Sequence, residues 1–330
     1  MSGRGFCAGM KRSGRCALLL CLATAALGNE TIPVWPAGVA PPEPGGPAEL
    51  VVVERAAPGA PLRDRYATQI VEPDLTVFPA ADAGRCALLI LPGGGYQRVV
   101  MDKEGYESAQ WFAARGVSSF VMRYRLPGEY AEPRPDLPLA DAQRALRVVR
   151  SHAAEHRFDA GCVGVLGFSA GGHLAGLLAT ARPDDLYAAV DEIDTLPARP
   201  DFAVLMYPVV TMLAPHAHAG SREKLLGISP DADLASRWSV DERVTARTPP
   251  VFLLHAADDE TVPVDNALLL YRALRAARVP VELHLFATGG HGFGLRSPPG
   301  VPVAAWPELV LRWLPQAVAP GAKGSSATSR

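Results

Sequence analysis

The stretch GFSAGGH, residues 167–173, stands where an apolar run typical of a buried strand (163–166) meets a run typical of a helix (174–180). Its first five residues match G-x-S-x-G, in which a serine occupies a strained strand-to-helix turn and raises its hydroxyl above the sheet. Glycine is needed on both sides because a Cβ there would clash with the neighbouring strand or helix. The alternative for the motif alone is an ordinary N-cap serine, Ser169, in a glycine-rich turn.

Loops after two later strands carry the groups that a serine nucleophile requires. A serine hydroxyl needs a neighbouring base, and in this class of sheet the order along the chain is serine, acid, histidine. Asp259 follows the predicted strand 251–255, and His291 follows the predicted strand 281–286. Open α/β sheets place their sites at the carboxyl ends of such strands. We therefore predict Ser169 as nucleophile, His291 as general base and Asp259 as its orienting acid.

The acid lies within the run Asp258-Asp259-Glu260, where two adjacent aspartates compete for the role. We choose Asp259 because D-x-x-V-P is the usual setting of this acid, and we expect Asp258 to bind the loop backbone. His255, at the strand end, is expected to be structural. A metal site in the acidic run is the alternative. No second ligand cluster lies nearby in sequence, so we predict neither a metal nor another cofactor.

A glycine-rich loop, LPGGGY at 91–96, follows another predicted strand. Three glycines let the backbone approach a ligand closely. We expect backbone amides of this loop, together with that of Ala170, to bind the oxyanion of a tetrahedral intermediate. A flexible turn is the simpler explanation, and a phosphate-binding loop is disfavoured because neither G-x-x-x-x-G-K-[ST] nor G-x-G-x-x-G is present.

Strand and helix patterns alternate through a predicted catalytic domain, residues 49–316. Several strand patterns are continuous apolar runs, as expected for strands buried on both faces. The predicted strands are 50–54, 75–78, 86–91, 117–123, 162–166, 202–207, 251–255 and 281–286. The predicted helices are 105–115, 139–156, 170–181, 265–277 and 306–314. This order predicts an α/β fold with a mostly parallel eight-stranded sheet flanked by helices.

The connections add detail to this architecture. We expect the first two strands to form an antiparallel edge and see no room for a large lid. The two long excursions, 182–200 and 211–248, should roof the site. In the second predicted helix, the arginines Arg144, Arg147 and Arg150 fall on other faces than the apolar stripe.

The termini do not have the patterns of a folded domain. Basic residues precede the apolar run 16–27, and small residues follow it, which is typical of a secretory signal peptide at 1–28. A buried N-terminal helix is the alternative. Residues 29–48 are rich in proline and glycine and predict an extended leader, and 317–330 predict a disordered tail. The expected location is therefore secreted or periplasmic, without a membrane anchor.

Composition excludes some partners. The formal net charge is −2 and 48% of the 330 residues are hydrophobic, so nothing favours nucleic acid or an anionic membrane surface as a partner. Two cysteines, Cys86 and Cys162, remain after the predicted signal peptide. In an oxidising compartment they could pair. We favour the alternative of two small buried thiols.

Several residues near the predicted site are candidates for substrate binding. Tyr96, Tyr207 and Trp238 would offer aromatic faces to a sugar, and His218 would reach the site from the loop above it. His173, directly after the serine motif, would pack or hydrogen-bond near the site.

Longer motifs resemble a known family. PGGGY, YRL at 124–126, GFSAGGHLA, MYP at 206–208, TPPVFLLHAADDETVPVDN and GGHGFG are together similar to the α/β-hydrolase superfamily. They resemble its secreted carbohydrate-esterase branch, which includes acetylxylan esterases and feruloyl-esterase-like proteins. The leader at 32–36 is also similar to that branch. The resemblance implies the same triad, and it implies Gly94, Gly95 and Ala170 as the oxyanion donors. Pro92 departs from it, because many such esterases have histidine there.

These observations predict a serine esterase that hydrolyses short-chain, acetyl-type esters, on xylan-like carbohydrate. The alternatives are a secreted serine exopeptidase or a general short-chain carboxylesterase of the same fold. A non-catalytic binding protein on the same scaffold is a third. Members of this branch are often labelled xylanases, but nothing in the sequence indicates the two opposed carboxylates of a glycosidase.

Overall fold

The computed structural model of the chain describes residues 30–39, 46–181, 186–298 and 300–317. The predicted signal peptide 1–28, parts of the predicted leader 29–48 and all but the first residue of the predicted tail 317–330 lie outside these residues. No helix in the described ranges combines the length and the hydropathy needed to cross a membrane.

Eleven strands form two sheets in the described residues. They are β1 (Thr31–Pro33), β2 (Val51–Glu54), β3 (Arg65–Thr68), β4 (Asp74–Phe78), β5 (Ala87–Leu91), β6 (Val99–Val100), β7 (Ser118–Arg123), β8 (Val163–Phe168), β9 (Ala203–Met206), β10 (Val251–Ala256) and β11 (Val281–Phe286). The main sheet has eight strands in the order β1-β4-β7-β5-β8-β9-β10-β11. The pairs β1–β4 and β4–β7 are antiparallel, and all others in this sheet are parallel.

The predicted mostly parallel, eight-stranded sheet is confirmed, but its first strand is not the predicted one. Residues 51–54 pair instead with β3, which also pairs with β6, in a separate three-stranded sheet. Their burial alternates, as expected for a strand covered on one face only. The edge position belongs to Thr31–Pro33, within the predicted leader. The chain after it is held by Trp35, whose Nε1 donates to Asp141 Oδ1 at 2.8 Å.

Helices cover both faces of the main sheet and divide the core into two layers. They are α1 (Glu107–Ala113), α2 (Asp136–Ser151), α3 (Ser169–Ala179), α4 (Ala219–Leu226), α5 (Ala232–Arg237), α6 (Asp265–Ala276) and α7 (Trp306–Ala317). Apolar side chains of α2, α3 and α6 pack on one face of the sheet, and those of α1 and α7 pack on the other. Strand β5 is buried at every position because it faces both layers.

The described part of segment 182–200, which was predicted to cover the site, is instead bound by arginines of α2. Arg144 is 2% exposed and pairs with Asp191 at 2.5 Å and with Asp194 at 2.9 Å. Arg147 donates to the Leu196 carbonyl oxygen at 2.8 Å. The described part of segment 182–200 is therefore bound to α2 and does not roof the serine loop. These guanidiniums lie off the apolar stripe, as predicted, but are buried because carboxylates and carbonyl oxygens cover them.

The prediction of two free thiols is wrong: Cys86 and Cys162 form a disulfide, with their Cα atoms 4.7 Å apart. Each cysteine immediately precedes a strand, and the next residues, Ala87 and Val163, are partners in the parallel pair β5–β8. Adjacent strands lie about 4.8 Å apart, so this register brings the two side chains within bonding distance.

Candidate active site

Ser169 occupies the turn between β8 and α3 with a backbone φ of +54°. This left-handed conformation is strained for a residue with a side chain, and such strain concentrates at functional sites. The glycines around it are required by close packing. A Cβ at Gly167 would lie 2.6 Å from the Ala175 Cβ, and one at Gly171 would overlap the Leu91 carbonyl oxygen. The local geometry is that of a nucleophile elbow.

The structure brings together the three residues predicted as a triad. His291 Nε2 lies 2.8 Å from Ser169 Oγ, and His291 Nδ1 lies 2.7 Å from Asp259 Oδ2. A carboxylate can only accept, so Nδ1 carries the proton and Nε2 is left free to accept the serine hydroxyl proton. The arrangement can therefore deprotonate Ser169 when the hydroxyl attacks.

The carboxylate of Asp259 is held by both of its oxygens. Oδ1 accepts from the Thr261 and Val262 amides, each at 2.9 Å. Oδ2 binds His291 and also lies 3.2 Å from His255 Nε2. Burial opposes ionisation of this carboxyl, but the hydrogen bonds from His255 and His291 outweigh it and hold the pKa of Asp259 well below its usual range. The group is thus an anion at neutral pH.

Of two residues near Asp259, Asp258 has the predicted contact and His255 has one that was not predicted. Asp258 Oδ1 accepts from the Gly290 amide at 2.8 Å, so it binds loop backbone, as expected. His255 is fully buried, and its Nε2 also donates to the Val262 carbonyl oxygen at 3.0 Å. It was predicted to be structural, yet it contacts the carboxylate that orients His291. Only its position four residues before Asp259 could have indicated that contact.

The glycine loop lies directly against the nucleophile. A Cβ at Gly93 would be 2.9 Å from the Ser169 Cβ. Gly94 and Gly95 have φ values of +135° and +67°, and among the described residues their amides have no hydrogen-bond acceptor. The Ala170 amide belongs to the first turn of α3, whose N–H groups have no intrahelical acceptor. Unpaired donors thus surround the serine, as an oxyanion site requires.

Three of the five predicted substrate-binding residues are inaccessible to substrate. Tyr96, His173 and Tyr207 are at most 1% exposed. The Tyr96 hydroxyl lies 2.8 Å from His173 Nδ1, and His173 Nε2 lies 2.8 Å from the Trp238 carbonyl oxygen. Burial lowers the pKa of His173 to about 3, so the ring is neutral and links the glycine loop to the segment after α5. The predicted aromatic platform is therefore wrong at Tyr96 and Tyr207.

The other two candidates are partly exposed. His218 Nδ1 accepts from the Ser221 amide and hydroxyl at the start of α4. Burial lowers the pKa of His218, protonation of the nearby His291 lowers it further, and the charge of Asp259 opposes this. Trp238 is half-buried at the end of α5. Segment 211–248 thus brings His218 close to the proposed base and contacts the site through Trp238.

Sequence reasoning gave no role to Glu104, which contacts two elements of the site. Its side chain is buried, and it accepts from the Gly93 amide at 2.8 Å and from the Tyr207 hydroxyl at 3.0 Å. The Tyr207 ring in turn packs edge-on against His291, with centroids 4.9 Å apart. Nothing in the run DKEG at 102–105 distinguishes this glutamate from a surface residue.

One group of possible metal ligands occurs in the described part of the chain. Ligand atoms of Glu30, Glu155 and His156 lie within 4.8 Å of one another, but both glutamates are exposed. Exposed acidic groups at such distances are common without a metal, and this group contacts none of the residues around Ser169.

Comparisons with known proteins give the family of the chain. The sequence model of the BD-FAE family matches residues 75–274, and that of the dienelactone hydrolase family matches 239–314. The chain is 34% identical over 222 residues to an acetylxylan esterase of Xylanibacter ruminicola, and 35% identical over 211 residues to endo-1,4-beta-xylanase B of Butyrivibrio fibrisolvens. These matches cover 66% and 64% of this chain, but only 42% and 33% of those proteins.

Solved structures extend the similarity to most of the fold. The acetyl ester-xyloside bifunctional hydrolase of Caldicellulosiruptor lactoaceticus superposes with a TM-score of 0.70 at 34% identity, covering 87% of this chain and 96% of that one. Esterase Est2 of Thermogutta terrifontis gives 0.61 at 28% identity, covering 76% and 92%. The chain belongs to the BD-FAE family and has the α/β-hydrolase fold of these solved esterases.

Proposed function

We propose that this enzyme removes short acyl groups, acetyl above all, from xylan-like carbohydrate through acyl transfer to Ser169. The observation that carries the mechanism is the unbroken hydrogen-bonded series from Ser169 Oγ through His291 to Asp259, with distances of 2.8 and 2.7 Å. The unpaired amides of Gly94, Gly95 and Ala170 beside it are the proposed oxyanion donors.

The first half-reaction forms an acyl-enzyme. His291 Nε2 takes the hydroxyl proton as Ser169 Oγ attacks the ester carbonyl carbon. The negative charge that develops on the carbonyl oxygen is stabilised by the oxyanion donors, while Asp259 stabilises the imidazolium. The tetrahedral intermediate collapses, the C–O bond to the sugar breaks, and the sugar oxygen leaves with the proton from His291.

The second half-reaction returns the enzyme to its starting state. His291, neutral again, takes a proton from water as the water oxygen attacks the acyl carbon. The second tetrahedral intermediate expels Ser169 Oγ, which recovers its proton from His291. Acetate is released, and no group other than the chain's own residues and water takes part.

The names of relatives, more than the residues of the site, support carbohydrate as the alcohol part of the substrate. One relative is named an acetylxylan esterase, and one solved neighbour is named an acetyl ester-xyloside hydrolase. The xylanase relative is matched over only a third of its length, so its name does not argue for glycosidase activity here. A disulfide between Cys86 and Cys162 supports an oxidising location, consistent with the proposed secretion.

Burial of Tyr96 and Tyr207 favours a second candidate, a general short-chain carboxylesterase. Of the three aromatic residues predicted to face a sugar, Trp238 alone is partly exposed. Structures of Est2, a neighbour at 28% identity, are named as bound to propionate and to butyrate, which are short acyl products. This alternative keeps the same triad and oxyanion donors and changes only the alcohol.

The test measures acetate release from acetylated xylan and from 4-nitrophenyl acetate by the wild type and by Ser169→Ala. Loss of both activities in the variant, by several orders of magnitude, supports the proposal. Activity on the small ester alone would select the general carboxylesterase. Activity that persists in Ser169→Ala would refute the mechanism.

A further inference from the structure

The carboxylate of Glu104 binds two parts of the site from behind. Glu104 lies in a π-helical turn, Met101–Tyr106, and is 3% exposed. Its Oε2 accepts from the Gly93 amide at 2.8 Å, and its Oε1 accepts from the Tyr207 hydroxyl at 3.0 Å. Turns of this kind are rare and occur frequently at functional sites. Glu104 thus contacts the backbone and side chain around the proposed triad, and its two hydrogen bonds go to neither Ser169 nor His291.

On one side, Glu104 sets the position of the glycine loop. A Cβ at Gly93 would lie 2.9 Å from the Ser169 Cβ and 2.8 Å from Glu104 Oε2, so the Gly93 backbone lies between the nucleophile and the carboxylate. The hydrogen bond fixes the peptide plane of Gly93. The next two amides along the chain, of Gly94 and Gly95, are the proposed oxyanion donors, so the bond anchors the loop directly before them.

On the other side, Glu104 holds Tyr207 against the loop of the proposed base. The Tyr207 hydroxyl donates to Glu104 and accepts from the Gly294 amide at 3.2 Å. The same ring packs edge-on against His291 at 4.9 Å. One carboxylate thus connects the glycine loop, the end of β9 and the loop that carries His291.

Packing alone does not account for this acid. Burying a carboxylate is costly, and an apolar side chain fills a buried space at lower cost. No ion pair of Glu104 occurs among the residues that the structure describes. Its two acceptor oxygens are matched by two neutral donors, and hydrogen bonds to an ionised acceptor are about twice as strong as neutral ones.

We propose that Glu104 is a positioning residue that sets the spacing between the oxyanion donors and the Ser169–His291 pair. The inference rests on the proposed triad mechanism but not on the identity of the alcohol. Glutamine at 104 could still accept one hydrogen bond through its amide oxygen, but its NH₂ group cannot accept the other. At least one of the two connections is therefore lost in Glu104→Gln.

The test compares Glu104→Gln with Asp102→Asn in the full chain. Asp102 is an equally buried carboxylate in the same turn, but it binds Arg65 and neither loop of the site. For each variant we measure kcat and KM on 4-nitrophenyl acetate, the melting temperature, and inhibition by trifluoroacetone, which forms a tetrahedral adduct with serine. Ser169→Ala is included to test the mechanism itself.

Glu104→Gln should lower kcat by about 10- to 100-fold and weaken trifluoroacetone inhibition by a similar factor, with KM little changed. Asp102→Asn should lower the melting temperature without that loss. The inference is overturned if Glu104→Gln keeps the wild-type kcat and inhibition, or if both variants lose kcat in step with melting temperature. Activity surviving in Ser169→Ala would instead refute the proposed function.

A second variant covers the case in which Glu104→Gln does not fold. Tyr207→Phe keeps the ring against His291 and removes only the hydroxyl that bonds Glu104 and Gly294. It should lower kcat and weaken trifluoroacetone inhibition by a common factor. Unchanged values for both would overturn the inference.

Discussion

Asp259 Oδ1 accepts from two backbone amides, Oδ2 binds His291 and lies 3.2 Å from His255 Nε2, and the charge of the carboxylate keeps the Nδ1 proton on His291. Asp259→Asn should lower kcat by about 10³- to 10⁴-fold, because an amide that donates to Nδ1 favours the wrong tautomer. The measurement is kcat on 4-nitrophenyl acetate.

Asp258→Asn is the matched control for that change. It lies in the same loop, and its amide oxygen can still accept from the Gly290 amide, so the rate should stay close to that of the wild type. A larger loss in Asp258→Asn than in Asp259→Asn would show that the acid of the triad was assigned to the wrong aspartate.

His173 gives a pH dependence whose sign is fixed by burial. Its pKa is lowered to about 3 in the fold, against about 6.5 in the unfolded chain. Below about pH 6.5 the unfolded chain therefore binds a proton that the folded protein does not. Its stabilising contribution is complete above that pH and declines as the pH falls toward 3, by up to about 1.4 kcal/mol per pH unit.

His173→Gln removes this titration. The difference in unfolding free energy between the wild type and His173→Gln should therefore shrink from pH 7 to pH 5, as measured by urea unfolding. A difference that stays constant over this range would contradict the burial of a neutral His173.

Some single residues could be placed correctly from the sequence, and others could not. The contact of Ser169 with His291 and of His291 with Asp259 could be predicted because each residue is tied to a local motif after a strand. Tyr96 and Tyr207 were predicted to face substrate because they lie next to motifs of the site. Both instead turn inward, at φ values of +57° and +36°, and bond to buried partners far along the chain. No local pattern encodes such partners.

At the scale of elements, the close contact between α3 and the end of β5 requires that Gly171, in the first turn of α3, has no side chain. Gly171→Ala should destabilise the protein by about 3 kcal/mol, because the new methyl meets the rigid carbonyl groups of Leu91 and Pro92. Gly220→Ala, in α4, is the control: its nearest neighbour, His218, is at 3.4 Å, so a small effect is expected. Equal melting temperatures for the two variants would contradict the close packing of α3.

Element boundaries were predictable where local chemistry alone decides them. The predicted strand 281–286 coincides with β11. Helix α2 begins at Asp136, earlier than predicted, because Pro138 is tolerated in a first turn, where its missing N–H loses no bond. The three residues of β1 gave no readable period, and their place at the sheet edge depends on pairing with β4. The π-helical turn at 101–106 likewise depends on tertiary contacts.

At the scale of the whole molecule, the proposed site and the disulfide lie at opposite ends of the same two strands. Ser169 and the glycine loop follow the carboxyl ends of β8 and β5, whereas the disulfide joins residues just before the amino ends of the same two strands. The sequence could predict which strands lead to the proposed site, since each is followed by a motif. It could not predict the disulfide, because only the order of strands across the sheet makes β5 and β8 neighbours.

This separation predicts that the disulfide affects stability and leaves catalysis unchanged. It closes a loop with a sequence separation of 76 residues, and loss of such a link reduces stability by about 4.5 kcal/mol on chain-entropy grounds. The double variant Cys86→Ala, Cys162→Ala should therefore unfold at lower urea concentration, yet keep the wild-type kcat at temperatures where it is folded. Thiol titration of both proteins, unfolded without reductant, tests the bond itself. Equal thiol counts are expected, whereas two more thiols in the wild type would show that Cys86 and Cys162 are free.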